Sequence, residues 1–187
     1  MILPIFAYGQ PVLKKEAEDI TKDYPELETL LENMWETMYN AKGIGLAAPQ
    51  IGLGIRLFLV DTKQIQEEGE EEKGIKKAFI NATILEEEGK AWAYEEGCLS
   101  IPGINGDVMR QPKVTIEYMD ENFNLKEETY EGMNARVIQH EYDHIDGVLF
   151  TELLKPLKKR LIKKKLERIK DGMVPSDYRM KFVPRRR

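Results

Sequence analysis

Residues 132–150 read GMNARVIQHEYDHIDGVLF, and here a strand-rich middle of the chain gives way to helix. From Gly132 to Ile145 the apolar residues recur at helical spacing. The two histidines of the chain, His140 and His144, lie inside this stretch, four residues apart. On a helix, positions i and i+4 share one face, one turn apart, so both imidazoles can reach a single metal ion. Glu141 between them completes the pattern His-Glu-x-x-His. Its carboxylate can reach a water held by such an ion without being a ligand itself. The competing reading is coincidence, which seldom places the only two histidines of a chain this way.

A catalytic ion of this kind needs a third protein ligand and one open position. Downstream of His144 the carboxylates are Asp146, Glu152, Glu167, Asp171 and Asp177. Upstream, the one cysteine, Cys98, stands in EEGCLSIPG. A lone cysteine is more often a small buried hydrophobe. Here Gly97 before it and Ser100-Ile-Pro-Gly after it predict a tight loop with exposed backbone, which suits a ligand better. A third feature is GIGLAAPQIG, Gly43 to Gly52. Its glycines and alanines allow close backbone approach, and Gln50 is its only polar side chain. By itself this stretch says little, because it lacks the spacing and the lysine of a phosphate loop.

The remaining elements follow from periodicity. Leu27, Leu30, Leu31, Met34 and Met38 predict an amphipathic helix from Pro25 to about Lys42, with Gly43 as the residue that ends it. Strands are expected at Ile55–Val60, Ala78–Ile84 and Ala91–Tyr94, and a hairpin joins Val114–Tyr118 to the stretch around Phe123 and Leu125. Residues 64–74 read as a solvated acidic loop. Lys155 to Lys170 forms a last helix, with Leu157, Leu161, Ile162, Leu166 and Ile169 on one face. Strands and helices in separate blocks predict an α+β fold: mainly antiparallel sheets packed around a central helix that carries the two histidines, with a C-terminal helix behind.

At 187 residues, with 42% hydrophobic and 33% charged residues, the chain can bury a core without staples. A single cysteine excludes an internal disulfide. No run of about 18 apolar residues predicts a membrane span, and the start, MILPIFA, is a poor signal peptide, so a reducing cytoplasm is expected. The net charge of −5 hides a split. Residues 155–187 hold fourteen basic and three acidic residues, a net of +11, on a body of −16. The expected organisation is thus a catalytic unit, 1–154, and a basic helix and tail, 155–187, whose charge bears on partners rather than fold.

GIGLAAPQ, EGCLS and QHEYDH, in this order, resemble the three signature motifs of the peptide deformylases. YGQPVLKK near the N-terminus and ARVIQHEYDHIDGVLF also look like that family, so the similarity spans about Ile5 to Phe150. The resemblance implies hydrolysis of the formyl group from the N-terminal formylmethionine of nascent polypeptides. It puts the metal ligands on Cys98, His140 and His144, with Fe²⁺ as the natural ion and Ni²⁺, Co²⁺ or Zn²⁺ accepted. It puts the general base on Glu141 and the oxyanion donors on the Leu99 backbone N–H and the Gln50 amide. Gly45 falls where the family's loop closes the site, and Glu96 would pair with Arg110 to brace the Cys98 loop. The substrate is expected as an added strand along Gly43–Gly45 and Glu96–Leu99, including Gly97. Its methionine would enter an apolar pocket near Ile44, Met133 and Val137. In some family members the C-terminal helix is thought to dock on the ribosome, and the basic segment here invites the same expectation.

Two other readings use the same residues. A zincin-type endopeptidase would take Glu167 as its third ligand and leave Cys98 dispensable. A structural-zinc module with an RNA-binding tail would need a closed four-ligand site, for which no further histidine or cysteine exists.

Overall fold

The computed structural model describes residues 1–184. The arginines at 185–187, part of the predicted basic cluster, lie outside the described residues. The chain runs β1 (Ile5–Phe6), α1 (Leu27–Asn40), β2 (Gly45–Ala47), β3 (Leu57–Asp61), β4 (Lys76–Glu88), β5 (Trp92–Cys98), β6 (Ile101–Arg110), β7 (Lys113–Met119), β8 (Leu125–Glu131), α2 (Gly132–Ile145), α3 (Pro156–Lys170) and β9 (Met180–Lys181). An antiparallel five-stranded sheet has the order β2-β3-β4-β7-β8. β5 and β6 form a separate antiparallel hairpin, and β1 pairs in parallel with β9. The fold is α+β with mainly antiparallel sheets, as expected.

β3 explains why its sequence is apolar without alternation. All five of its residues are buried, because both faces of the sheet are covered there. Leu57 and Leu59 pack with Leu31, Met34 and Met38 of α1. Phe58 and Val60 point the other way, into a cluster with Phe79, Tyr118 and the α2 residues Ala135, Ile138 and Ile145. The Phe58 and Phe79 rings stack with centroids 4.9 Å apart. Strand period two against helix period 3.6 thus fixes both α1 and α2 on one sheet.

Three expectations need correction. The residue that ends α1 in the left-handed region is Lys42, at φ 58°, not Gly43. Gly43 N–H bonds to the Met38 carbonyl and Lys42 N–H to the Tyr39 carbonyl, a Schellman ending. Gly43 instead leaves room for the Leu99 side chain, since a Cβ there would lie 2.8 Å from Leu99 Cδ1. Next, the loop expected after Cys98 is only two residues long. Ile101 begins a ten-residue strand, and Ser100 and Ile101 are fully buried. Pro102 and the glycines at 103 and 106 imitate turn signals. Gly106, however, serves packing, since a Cβ there would meet the Leu154 side chain at 2.7 Å. Finally, the apolar face of α3 is only partly used. Ile162 and Ile169 are buried against Ile101, Val108 and Phe150, while Leu157 and Leu161 are 68% and 67% exposed.

The last segment is woven into the body. Besides the β1–β9 pairing, Gln10 Nε2 donates to the carbonyls of Lys181 and Phe182. Among the described residues, no helix is long and apolar enough to cross a membrane.

Candidate metal centre and substrate cavity

α2 presents two neighbouring stripes, each at a spacing of four. Arg136, His140 and His144 form one, and Met133, Val137 and Glu141 the other. The β5–β6 hairpin brings Cys98 to the first stripe. Cys98 Sγ lies 3.4 Å from His144 Nε2, and the donor atoms of Cys98, His140 and His144 all fall within 4.8 Å of one another. His140 Nδ1 is 2.8 Å from Glu96 Oε1. A proton held on Nδ1 by that carboxylate leaves Nε2 as the lone-pair nitrogen.

These residues fit a divalent ion. A tetrahedral centre with bonds of about 2.3 Å to sulfur and about 2.0 Å to nitrogen sets S and N about 3.5 Å apart, close to the Cys98–His144 spacing. Glu141 Oε2 is buried with no hydrogen-bond partner, and Glu141 is 4% exposed. Burial pushes its carboxyl up to about 7, with the charges of Glu96 and Asp143 adding to the rise and His140 and Arg110 opposing it. A cation beside it would draw it back toward the carboxylate range.

Glu96 is the hub of the polar network behind His140. Its carboxylate accepts from Arg110 at 2.8 and 3.0 Å, from Arg136 at 2.8 Å and from His140. Burial alone would raise it, but the hydrogen bonds from His140 and Arg110 outweigh burial and hold it well below the usual range. Arg110 also donates to Asp143 at 2.8 Å. Arg136 reaches the carbonyls of Val108 and Trp92 and lies 4.4 Å over the Trp92 ring.

Gln50 enters from the other side, on the short 3₁₀ turn Ala48–Ile51. Its Oε1 accepts from Ala47 N–H at 2.9 Å, which turns Nε2 toward Cys98 Sγ at 3.4 Å and Ser100 Oγ at 3.2 Å. Gly45 lies directly against Glu141: a Cβ there would sit 2.4 Å from the carboxylate oxygen.

A cavity of about 860 Å³ opens over this group. Cys98, His140, Glu141, Gln50 and Leu99 line it, and so do Ile44, Gly45, Gly97, Met133 and Val137. His144 lies behind it, 1% exposed. Glu167 is exposed on α3 and takes no part in the Cys98–His140–His144 cluster, so the zincin reading loses its third ligand. The sequence reading missed four residues at the site. Arg136 and Asp143 had a usable signal, their helical spacing from His140. Ser100 and Tyr178, which lines the cavity from beyond α3, had none.

One thiol and two imidazoles whose donor atoms cluster, with a buried carboxylate beside them, suit a single-ion hydrolase centre. A family model described as polypeptide deformylase matches residues 2–160. The peptide deformylase of Flavobacterium psychrophilum is 59% identical over 100% of both chains, and that of Cytophaga hutchinsonii 51% identical over 97% of this chain and 98% of its own. A peptide deformylase structure from Legionella pneumophila superposes with a TM-score of 0.80 at 36% identity, covering 94% of this chain and 100% of that one. One from Synechococcus elongatus in complex with actinonin gives 0.79 at 34%, covering 95% and 92%. The chain belongs to the polypeptide deformylase family. The activity of this metal-dependent family, and of this enzyme, is removal of the formyl group from the N-terminus of nascent peptides.

Gly45→Ala is expected to cut kcat by at least about tenfold, since the new methyl must displace the Glu141 carboxylate. Steady-state kinetics with a crystal structure of the variant checks this; normal turnover with Glu141 unmoved would contradict it.

Proposed function

We propose that Cys98, His140 and His144 hold one divalent ion and that Glu141 is the general base of the deformylation. The observation that carries the reading is the buried Glu141 carboxylate, its Oε2 without a hydrogen-bond partner, beside the three clustered donor atoms. Bound there, the ion supplies Lewis acidity that polarises the formyl carbonyl and acidifies water. Fe²⁺ is the proposed resident, with Zn²⁺, Ni²⁺ or Co²⁺ able to replace it, because a thiolate favours softer ions over Mg²⁺.

Glu141 takes a proton from the attacking water and passes it to the departing amine, so the C–N bond breaks to formate and a free N-terminus. The Leu99 N–H and the Gln50 amide donate to the developing oxyanion. Gln50 suits this because its NH₂ donates without adding charge, and its carbonyl end is already tied to Ala47. The peptide lies between two free strand edges. Among the described residues β2 ends its sheet and β5 pairs only with β6, and both border the cavity, so backbone hydrogen bonds can hold a chain end of any sequence. The methionine side chain enters between Ile44, Met133 and Val137. We further propose that the sheets assemble around α2 as the central element, and that residues 1–154 carry the catalytic machinery. The proposed compartment is the cytoplasm, where nascent peptides appear.

Residues 155–187 are proposed to dock on the ribosome. Lys158, Lys159, Lys163 and Lys165 are exposed on α3, next to the unburied Leu157 and Leu161.

Glu141→Gln should keep about one metal per chain and lose turnover of a formyl-Met dipeptide, while the unmodified enzyme should strongly prefer formyl-Met over acetyl-Met. Elemental analysis and released-amine assays decide this. Metal loss in the variant would place Glu141 among the ligands, and equal rates on both substrates would mean a general N-acyl hydrolase.

The enzyme should also co-sediment with ribosomes at low salt and dissociate at roughly a few tenths molar salt. Lys158→Glu, Lys159→Glu, Lys163→Glu and Lys165→Glu together should abolish this without disturbing β9. An intact enzyme that stays in the supernatant at low salt would mean that the lysines are merely solvated.

A further inference from the structure

The turn that carries Leu99 is held from both ends of the chain. Leu99 and Ser100 alone connect β5 to β6, since Cys98 pairs with Ile101. Two-residue hairpin turns favour positive φ at their central residues, which matches the twist of the strands. Neither Leu99 nor Ser100 has positive φ, and the register breaks between Gly97 and Cys98. Such a turn is not set by its own backbone preference, so outside contacts must fix it.

Among the described residues, three hydrogen bonds from outside the hairpin reach Leu99 and Ser100. The Ser100 carbonyl accepts from Tyr8 N–H at 2.9 Å. Ser100 Oγ accepts from Gln50. The Leu99 carbonyl accepts from the Tyr178 hydroxyl at 2.6 Å. Tyr178 is itself well anchored. Arg179 and Lys181 carbonyls accept from Ile5 and Ala7 N–H at 2.9 and 3.0 Å, and Ser176 Oγ bonds to both the carbonyl and the N–H of Tyr178. Tyr8 and Tyr178 therefore belong to one unit, the β1–β9 pair and its flanks, and this unit grips the turn. Burial, helped by the nearby Cys98 and Asp177, pushes the Tyr178 phenol up to about 12, so it keeps its proton and donates at neutral pH.

We infer that Tyr178 is a positioning residue for deformylation: its hydroxyl holds the Cys98–Ser100 turn in the orientation that aims the Leu99 N–H at the oxyanion. The inference rests on the reading of Leu99 as an oxyanion donor. Tyr178 lies beyond residue 160, where the family match ends, so the matched region does not account for it. It also gives the C-terminal segment a part in the chemistry. The segment that would dock on the ribosome continues directly into the clamp on the turn.

Tyr178→Phe deletes the hydroxyl and keeps the ring that lines the cavity. The metal-loaded variant should show kcat lowered about fivefold to tenfold, a fraction of the roughly 10²–10³ lost with a whole oxyanion donor. Its KM should change less than about twofold, because ground-state binding does not use this bond. Amide hydrogen exchange, read by NMR on the zinc-loaded protein, should accelerate at Leu99 and Ser100 while the thermal midpoint stays put. Exchange at these amides reads the clamp whether or not the enzyme deformylates, and wild-type turnover reads the deformylase assignment separately. Unchanged exchange with unchanged kcat would overturn the inference. A rise in KM with kcat and exchange unchanged would also overturn it, because Tyr178 would then only line the cavity.

Discussion

Glu96 is a carboxylate almost removed from water, and three cationic or polar donors converge on it from two directions. Arg110 comes from its own hairpin, while Arg136 and His140 come from α2. A buried charge is tolerated only when paired and hydrogen-bonded. The hairpin and the helix must therefore meet at this point, in this register. Breaking a buried pair of this kind typically costs about 3–5 kcal/mol, because the remaining charges are left uncompensated. The same joint that closes the fold orients His140 and sets Cys98, two residues along β5, beside His144. Stability and the placing of Cys98 and His140 rest here on one carboxylate.

What surrounds the joint follows from it. With α2 fixed, its second stripe offers Met133, Val137 and Glu141 to the cavity, apolar first and acidic at the chemistry. Gly45 lets β2 approach until its backbone touches Glu141, which shields that carboxylate from water and leaves the edge of β2 along the cavity. Gln50 is turned by its own backbone contact. In the proposed reading, these elements recognise a chain end through main-chain edges and one apolar pocket. That suits an enzyme whose substrates share an N-terminal residue and little else.

Much of this was legible in the sequence because it is local. The spacing of His140, Glu141 and His144 is a helical fact, and α2 runs over the expected residues. The sheet's antiparallel character followed from short strands and turns. Apart from the end of α1, where Lys42 rather than Gly43 takes the left-handed position, the failures are non-local. Pro102 and two glycines made β6 look like a loop, although Gly106 is small to admit Leu154. Leu157 and Leu161 sit on the same helical stripe as Ile162 and Ile169, but the body covers only part of α3, and no periodicity shows where cover ends. Tyr178 reaches Leu99 across 79 residues of sequence, a meeting made by the β1–β9 pairing. The convergence of two arginines on Glu96 was half visible: Arg110 was expected, and Arg136 shares the i, i+4 stripe that revealed the histidines.

The central claim is that the thiol from the hairpin and both imidazoles from α2 bind one ion, with Glu141 outside its ligand set. X-ray absorption spectroscopy at the metal edge of the loaded enzyme tests this most directly. The predicted result is one sulfur scatterer at about 2.3 Å and two imidazole nitrogens at about 2.0 Å, completed by an oxygen from water. A spectrum without sulfur, or one unchanged by Cys98→Ser, would contradict the account.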